Sequence, residues 1–247
     1  MIRRWKRFYH HHHGQILITS IIPGGIGKCV MDFSVPDIFE FTMIAIIDYG
    51  LGNVRSIYAK FDQMGFRVRI ISNPSDLAFA EKIVLPGVGY FSQGMKNLEE
   101  LGFVPVIKKM VDGGTPILGI CLGMQLLTDW SEEGDYPGFS FIEGNTVKIP
   151  SPSDNPLILP HMGWNTVSII HDSPLMKEIK DNSRFYHVHS YIVRCDDEDN
   201  IVAISHYGVN FPTIIQKGSI FGVQFHPEKS HKQGLAILKN FAEYNHA

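Results

Sequence analysis

Five residues, Gly119-Ile-Cys-Leu-Gly123, constrain this chain more than any other stretch. The apolar run Pro116 to Ile120 ahead of the cysteine reads as a short buried strand, and a run with helix-forming character, Leu122 to Trp130, follows at once. Glycine two positions to each side of a cysteine is the spacing of a nucleophile elbow, with sulfur in place of a serine oxygen. The nucleophile of such an elbow sits on a strained strand-to-helix turn, and a Cβ two positions away would collide across it. The turn presents Cys121 at the carboxyl edge of a sheet and at a helix N-terminus, whose positive dipole end favours thiolate. A buried structural cysteine at the end of a core strand is the competing account of Cys121 alone.

The strands around that elbow read as a parallel sheet. From Met43 the chain alternates: Ile44 to Asp48 as a strand, a helix through Val54, Ile57, Tyr58, Phe61 and Met64, and a second strand from Arg67 to Ser72. Lys82 to Leu85 is a third strand, followed by helices around Met95 to Leu101 and Val104 to Val111. Strands apolar throughout imply an open, mostly parallel α/β sheet with helices on both faces. Sites in such sheets lie at the carboxyl ends of strands, where Gly50 to Asn53, Gly87 to Gly89 and Cys121 all fall. The second half reads as an antiparallel β extension: Asn145 to Ile149, Trp164 to Ile170, Phe185 to Arg194, Ile201 to Ser205, Thr213 to Gln216 and Ser219 to Gln224, with a turn at Lys217-Gly218. An amphipathic helix, Gly234 to Tyr244, closes the chain.

Residues 1–42 have a different texture. Arg3, Arg4, Lys6 and Arg7 precede His10 to His13 and the apolar run Ile16 to Ile22. The outline of a signal peptide is there, but Pro23-Gly-Gly25 follows instead of a small-x-small cleavage site. The histidine tract is a compositional hint of metal binding. An upstream start or appended extension accounts for the segment better, so 1–42 is expected to stand outside the fold and 43–247 to form one domain. The net charge is −3, which gives no reason to expect nucleic acid or an anionic membrane surface as partner. No apolar run reaches the roughly 18 residues of a membrane span. Three cysteines, Cys29, Cys121 and Cys195, are too few and odd in number for a disulfide framework and suit a reducing, cytoplasmic setting.

A second chemical stretch is Phe221-Gly-Val-Gln-Phe-His-Pro-Glu-Lys-Ser230. Pro227 fixes its own φ and biases His226 toward extended geometry, and two residues separated by one in an extended segment point the same way. Glu228 can therefore orient and charge-stabilise His226. A cysteine elbow needs such a base, and the base needs an orienting acceptor. A histidine and glutamate in a surface turn would be the plain alternative, were the elbow not also present.

Cys-Leu-Gly-Met-Gln at 121–125 and Gln-Phe-His-Pro-Glu-Lys-Ser at 224–230 resemble the class I, triad-type glutamine amidotransferases. More narrowly, Asp48-Tyr-Gly-x-Gly-Asn53, Pro86-Gly-Val-Gly89 and Pro160-His-Met-Gly-Trp-Asn165 resemble the glutaminase subunit of imidazole glycerol phosphate synthase. The resemblance runs from about residue 43 to 245. It implies L-glutamine as substrate, no cofactor and no metal. It casts Cys121 as nucleophile, His226 as proton carrier and Glu228 as its holder, with an oxyanion hole from the backbone N–H groups of Val88 and Leu122. Gly87, Gly89, Gln125, Glu133, Ser190 and Tyr191 match substrate contacts, with Glu132 a competing candidate for Glu133. Asn53, Trp164 and Lys229 match positions at a subunit interface.

The implied partner is a barrel cyclase subunit in a heterodimer, supplied with ammonia for histidine biosynthesis. The length agrees: a (β/α)₈ barrel takes about 250 residues, so the acceptor chemistry is expected on another chain. A paralogous ammonia supplier for amidino-sugar synthesis in surface polysaccharide shares these motifs. A cysteine-elbow peptidase or chaperone is more distant, since there a histidine commonly follows the cysteine and here Leu122 does. A catalytically dead binding module is disfavoured by the complete triad.

Overall fold

The computed structural model describes residues 8–12, 15–22, 25–29, 43–152 and 156–245. The chain divides into two compact units, Met1–Phe41 and Thr42–Ala247. In the first, β1 (Phe8–His12), β2 (Gln15–Ile22) and β3 (Gly25–Cys29) form a three-stranded antiparallel sheet in that order. The leader and metal-tract readings of this segment rest on residues and side chains outside those described.

The second unit is built on a nine-stranded sheet. Its parallel half contains β4 (Ile44–Ile47), β5 (Val68–Ile71), β6 (Lys82–Gly87), β7 (Ile117–Cys121) and β16 (Ile220–Val223). Across it the order is β16-β7-β6-β4-β5. Alternate residues of one strand go to opposite faces, and both faces are covered. Ile44 and Ile46 pack with Ile57 and Phe61 of α1 (Val54–Gln63) and Ile237, Leu238 and Phe241 of α5 (His231–Glu243). Ala45 and Ile47 pack on the other side with Phe91, Met95 and Leu98 of α2 (Phe91–Glu100) and Phe103 and Ile107 of α3 (Phe103–Asp112). Two covered faces are why these strands carry no polar alternation.

The antiparallel extension is present as expected. It continues the same sheet edge to edge through β15 (Val209–Lys217), β14 (Ile201–Tyr207), β11 (His161–Ile169) and β12 (Ser183–His189). A separate four-stranded sheet holds β13 (Tyr191–Cys195), β10 (Gly144–Lys148), β8 (Trp130–Ser131) and β9 (Tyr136–Pro137). The single strand expected over Phe185 to Arg194 is therefore two strands in two sheets, parted at Ser190. No glycine, proline or charged residue near Ser190 marks the break in the sequence.

The helix after the elbow is also shorter than expected. α4 covers Leu122–Leu126, and Trp130 begins a strand instead of ending a helix. Other backbone donors take the carbonyls a longer helix would use: Phe139 N–H donates to the Leu126 carbonyl at 2.8 Å, and Phe141 N–H to that of Leu127 at 2.9 Å.

Candidate active site

β7 delivers Cys121 to the carboxyl end of the sheet with φ 55° and ψ −110°, a conformation L-residues avoid. The two elbow glycines permit it. A Cβ on Gly119 would stand 2.5 Å from the Gly123 carbonyl oxygen, and one on Gly123 would collide with the Leu85 carbonyl of the neighbouring strand β6. Gly87, at the end of β6, is equally confined: a Cβ there would strike the Tyr49 hydroxyl and lie 2.8 Å from Leu122 Cβ. The Tyr49 hydroxyl donates to the Pro86 carbonyl at 2.8 Å, which fixes the start of the Gly87-Val88-Gly89 loop.

His226 follows β16, the other parallel neighbour of β7. Its Nδ1–H donates to Glu228 Oε1 at 3.0 Å, and both side chains are almost wholly buried. That bond leaves Nε2 for the sulfur. Ser230 locks the turn: its hydroxyl donates to the His226 carbonyl at 2.7 Å and accepts from Tyr186 N–H at 3.0 Å. The His226 N–H in turn donates to the Tyr186 carbonyl at 2.9 Å. Burial works to lower the His226 imidazole, but hydrogen bonds and charge from Cys121 and Glu228 outweigh it and carry it up to about 10. A buried imidazolium held between a sulfur and a carboxylate is the arrangement nucleophilic sulfur chemistry requires.

Cys121 and His226 open into one cavity of about 470 Å³. Leu122, Val88 and Gly89 line it near the sulfur; Gln125, Glu133, Ser190, Tyr191 and Lys229 line the remainder. Glu228 lies behind His226, and Gly87 is buried behind the loop. The two acidic residues stand in different places. Glu133 faces the cavity and its Oε2 accepts from Phe91 N–H at 2.9 Å, whereas the Glu132 carboxylate caps the Lys148 N–H of β10. Trp164 stacks on His231 at 5.0 Å, and it meets the Tyr186 ring that also carries Lys229 at 5.9 Å. Asn53 heads α1 at the end of the loop that follows β4, and Gly52 beside it lies against Pro86.

Gln224 is a site residue to which sequence reading gave no role. It is fully buried, its Nε2 lies 3.8 Å from Cys121 Sγ, and its Oε1 accepts from Gln125 Nε2 at 3.2 Å. Gln125 Nε2 also donates to the Tyr191 carbonyl at 3.1 Å, so its amide hydrogens serve the wall of the cavity. The signal was available: Gly222, Gln224 and His226 alternate along one extended segment and share a face.

A family model for class-I glutamine amidotransferases matches residues 45–244. The chain belongs to the class-I glutamine amidotransferases. Among curated members of that family, it is 49% identical over 200 residues to the imidazole glycerol phosphate synthase subunit HisH 2 of Methanococcus maripaludis, covering 81% of this chain and 98% of that relative. It is 48% identical over 206 residues to subunit HisH of Geobacter sulfurreducens, covering 82% and 99%. Among solved structures, PurLQS from Thermotoga maritima aligns with a TM-score of 0.63 at 20% identity over 81% of this chain and 96% of that one. A glutamine amidotransferase from the same organism aligns with a TM-score of 0.54 at 17% identity, over 81% and 82%. At that identity these two show the amidotransferase fold. No helix among the described residues is long and apolar enough to cross a membrane.

Proposed function

We propose that the chain is the glutaminase subunit of an imidazole glycerol phosphate synthase, hydrolysing L-glutamine and passing ammonia to a barrel cyclase subunit in histidine biosynthesis. The observation that carries the chemistry is the strained Cys121 opening into the same cavity as a His226 already bonded to Glu228. Relatives near half identity over almost their whole length, named as HisH subunits, favour the histidine pathway over the amidino-sugar paralogue.

In this reading Cys121 sulfur attacks the side-chain amide carbon of glutamine. Backbone N–H groups of Val88 and Leu122 receive the oxyanion; one such donor is worth about 3 kcal/mol. His226 gives its proton to the departing ammonia and then takes one from the water that cleaves the thioester, releasing glutamate and free thiol. Glu228 keeps the ring oriented throughout. Glu133, Gln125, Gly89, Ser190 and Tyr191 shape the pocket for the α-amino acid end, with Gly87 behind them setting the loop. Asn53, Trp164 and Lys229 face the cyclase. With free thiols at Cys121 and Cys195, the cytoplasm is the fitting compartment.

The test is Cys121→Ser in complex with the cyclase. The complex is expected to assemble, to lose product formation from glutamine, and to retain it from ammonium salt at a pH that supplies free ammonia. Failure with ammonia as well, in an intact complex, would refute the division of labour.

A further inference from the structure

Behind the pocket wall, His161 of β11 meets His187 and His189 of β12, all buried. Among the described residues this is the one group of three His, Cys, Asp or Glu side chains with possible ligand atoms all within 4.8 Å of one another. The strand register builds it: His161 stands opposite His189, His187 stands opposite Gly163, and 187 and 189 share a face.

Three observations point to an ion. His161 Nδ1–H donates to His189 Nε2 at 3.2 Å. Two imidazoles on one tetrahedral zinc at about 2.0–2.1 Å stand about 3.3 Å apart, so this pair already has ligand spacing. His189 Nδ1 lies 2.9 Å from the Tyr191 carbonyl, which puts the proton on Nδ1 and turns the Nε2 lone pair inward. That is the outer contact metal-ligating histidines use. Finally, His187 is fully buried and neither ring nitrogen has a partner. Its neighbours Phe211 and Phe225, edge-on at 6.0 and 5.8 Å, offer it no lone pair. A buried imidazole left unbonded is costly, and one introduced bond there is worth more than the same bond in water.

We propose that His161, His187 and His189 form a binding site for a divalent transition-metal ion of the zinc class. An all-imidazole set suits zinc, nickel or copper and not calcium or magnesium, which take oxygen. Two contacts oppose the ion: ligation gives up the hydrogen bond between His161 Nδ1 and His189 Nε2, and it moves the His161 proton to Nε2, 3.3 Å from the Asn165 amide nitrogen. Asn165 keeps a better bond, 2.9 Å to the His206 carbonyl, so the amide is not stranded. Since His189 also lines the catalytic cavity, the ion would fix that wall one residue from Ser190.

The test uses the full chain with His10, His11, His12 and His13 replaced by serine and with Cys121→Ser, so that neither the tract nor the thiolate competes. Cobalt(II) is followed by its visible absorption and zinc by calorimetry. One equivalent per chain is expected, with the strong band of nitrogen-ligated, low-coordinate cobalt. His187→Phe, which keeps the ring volume among its aromatic neighbours, is expected to abolish binding. His161→Gln is expected to weaken it about tenfold or more. Circular dichroism confirms that each variant is folded; should His187→Phe fail to fold, His161→Gln decides. No stoichiometric binding in the parent, or affinity unchanged in the folded variants, overturns the site.

Discussion

Gly123 of α4 lies so close to the Leu85 carbonyl of β6 that no β-carbon fits between them. The obstacle is backbone on both sides, so no rotamer change relieves it. Gly123→Ala is expected to cost about 3 kcal/mol or more, at the upper end of overpacking penalties. Gly114→Ala makes the comparison: Gly114 has φ 90° but open space around it, so the cost there is conformational, about 1–2 kcal/mol. Denaturant melts of the two variants measure the difference. Equal losses would mean the elbow relaxes more readily than its geometry implies.

The two described thiols are expected to react very differently. Burial, then Asp196 and Asp197, push Cys195 up to about 12, whereas Cys121 opens into a cavity beside an imidazolium. An electrophilic glutamine analogue at neutral pH should label Cys121 and leave Cys195, as well as Cys29, largely unmodified. Peptide mapping that finds the label chiefly on Cys195 or Cys29 would defeat the assignment of the nucleophile.

His226 and Glu228 are expected to act as one unit. His226→Ala and Glu228→Gln should each lower glutaminase kcat by about 10³-fold or more, while the double variant is little worse than His226→Ala alone. Multiplied losses in the double variant would make Glu228 a bystander to His226.

The pH dependence of His226 follows from its surroundings. Its folded value, about 10, is above the ordinary 6.5 or so of an unfolded imidazole. A raised group binds its proton more tightly in the fold, so its contribution to stability is full below about pH 6.5 and is lost as pH rises through about 10. Cys121→Ser removes one of the groups that lift the ring. NMR titration of the ring protons should show the midpoint fall in that variant; a midpoint still near 10 would mean Glu228 alone holds the charge.

The site was more legible in the sequence than the architecture that frames it. Elbow and base are local devices: Gly119 and Gly123 leave room for the turn, Pro227 fixes its own φ, and the spacing of His226 and Glu228 carries its geometry in two residues. The two misread elements were decided by partners far along the chain. The helix after Cys121 ends at Leu126 because residues near Phe139 claim its carbonyls. The break at Ser190 leaves no trace because no glycine, proline or charge between Phe185 and Val193 interrupts the strand-like run. Gln224 shares a face with His226 in the sequence pattern, but its place beside Cys121 depends on β16 running parallel to β7.

At Ser190 the chain leaves the nine-stranded sheet and enters the four-stranded one, with His189 and Tyr191 as the last and first rungs. Both residues and the one between them form part of the cavity wall. The cavity is thus partly a seam between two plates, and its width registers their alignment. A load on the exposed side of β11, where Met162 is 62% and Trp164 38% accessible, bears on the plate that His189 terminates. The same plate carries Cys121 at the end of β7, so a slip between the plates moves the nucleophile and His189 together past Tyr191.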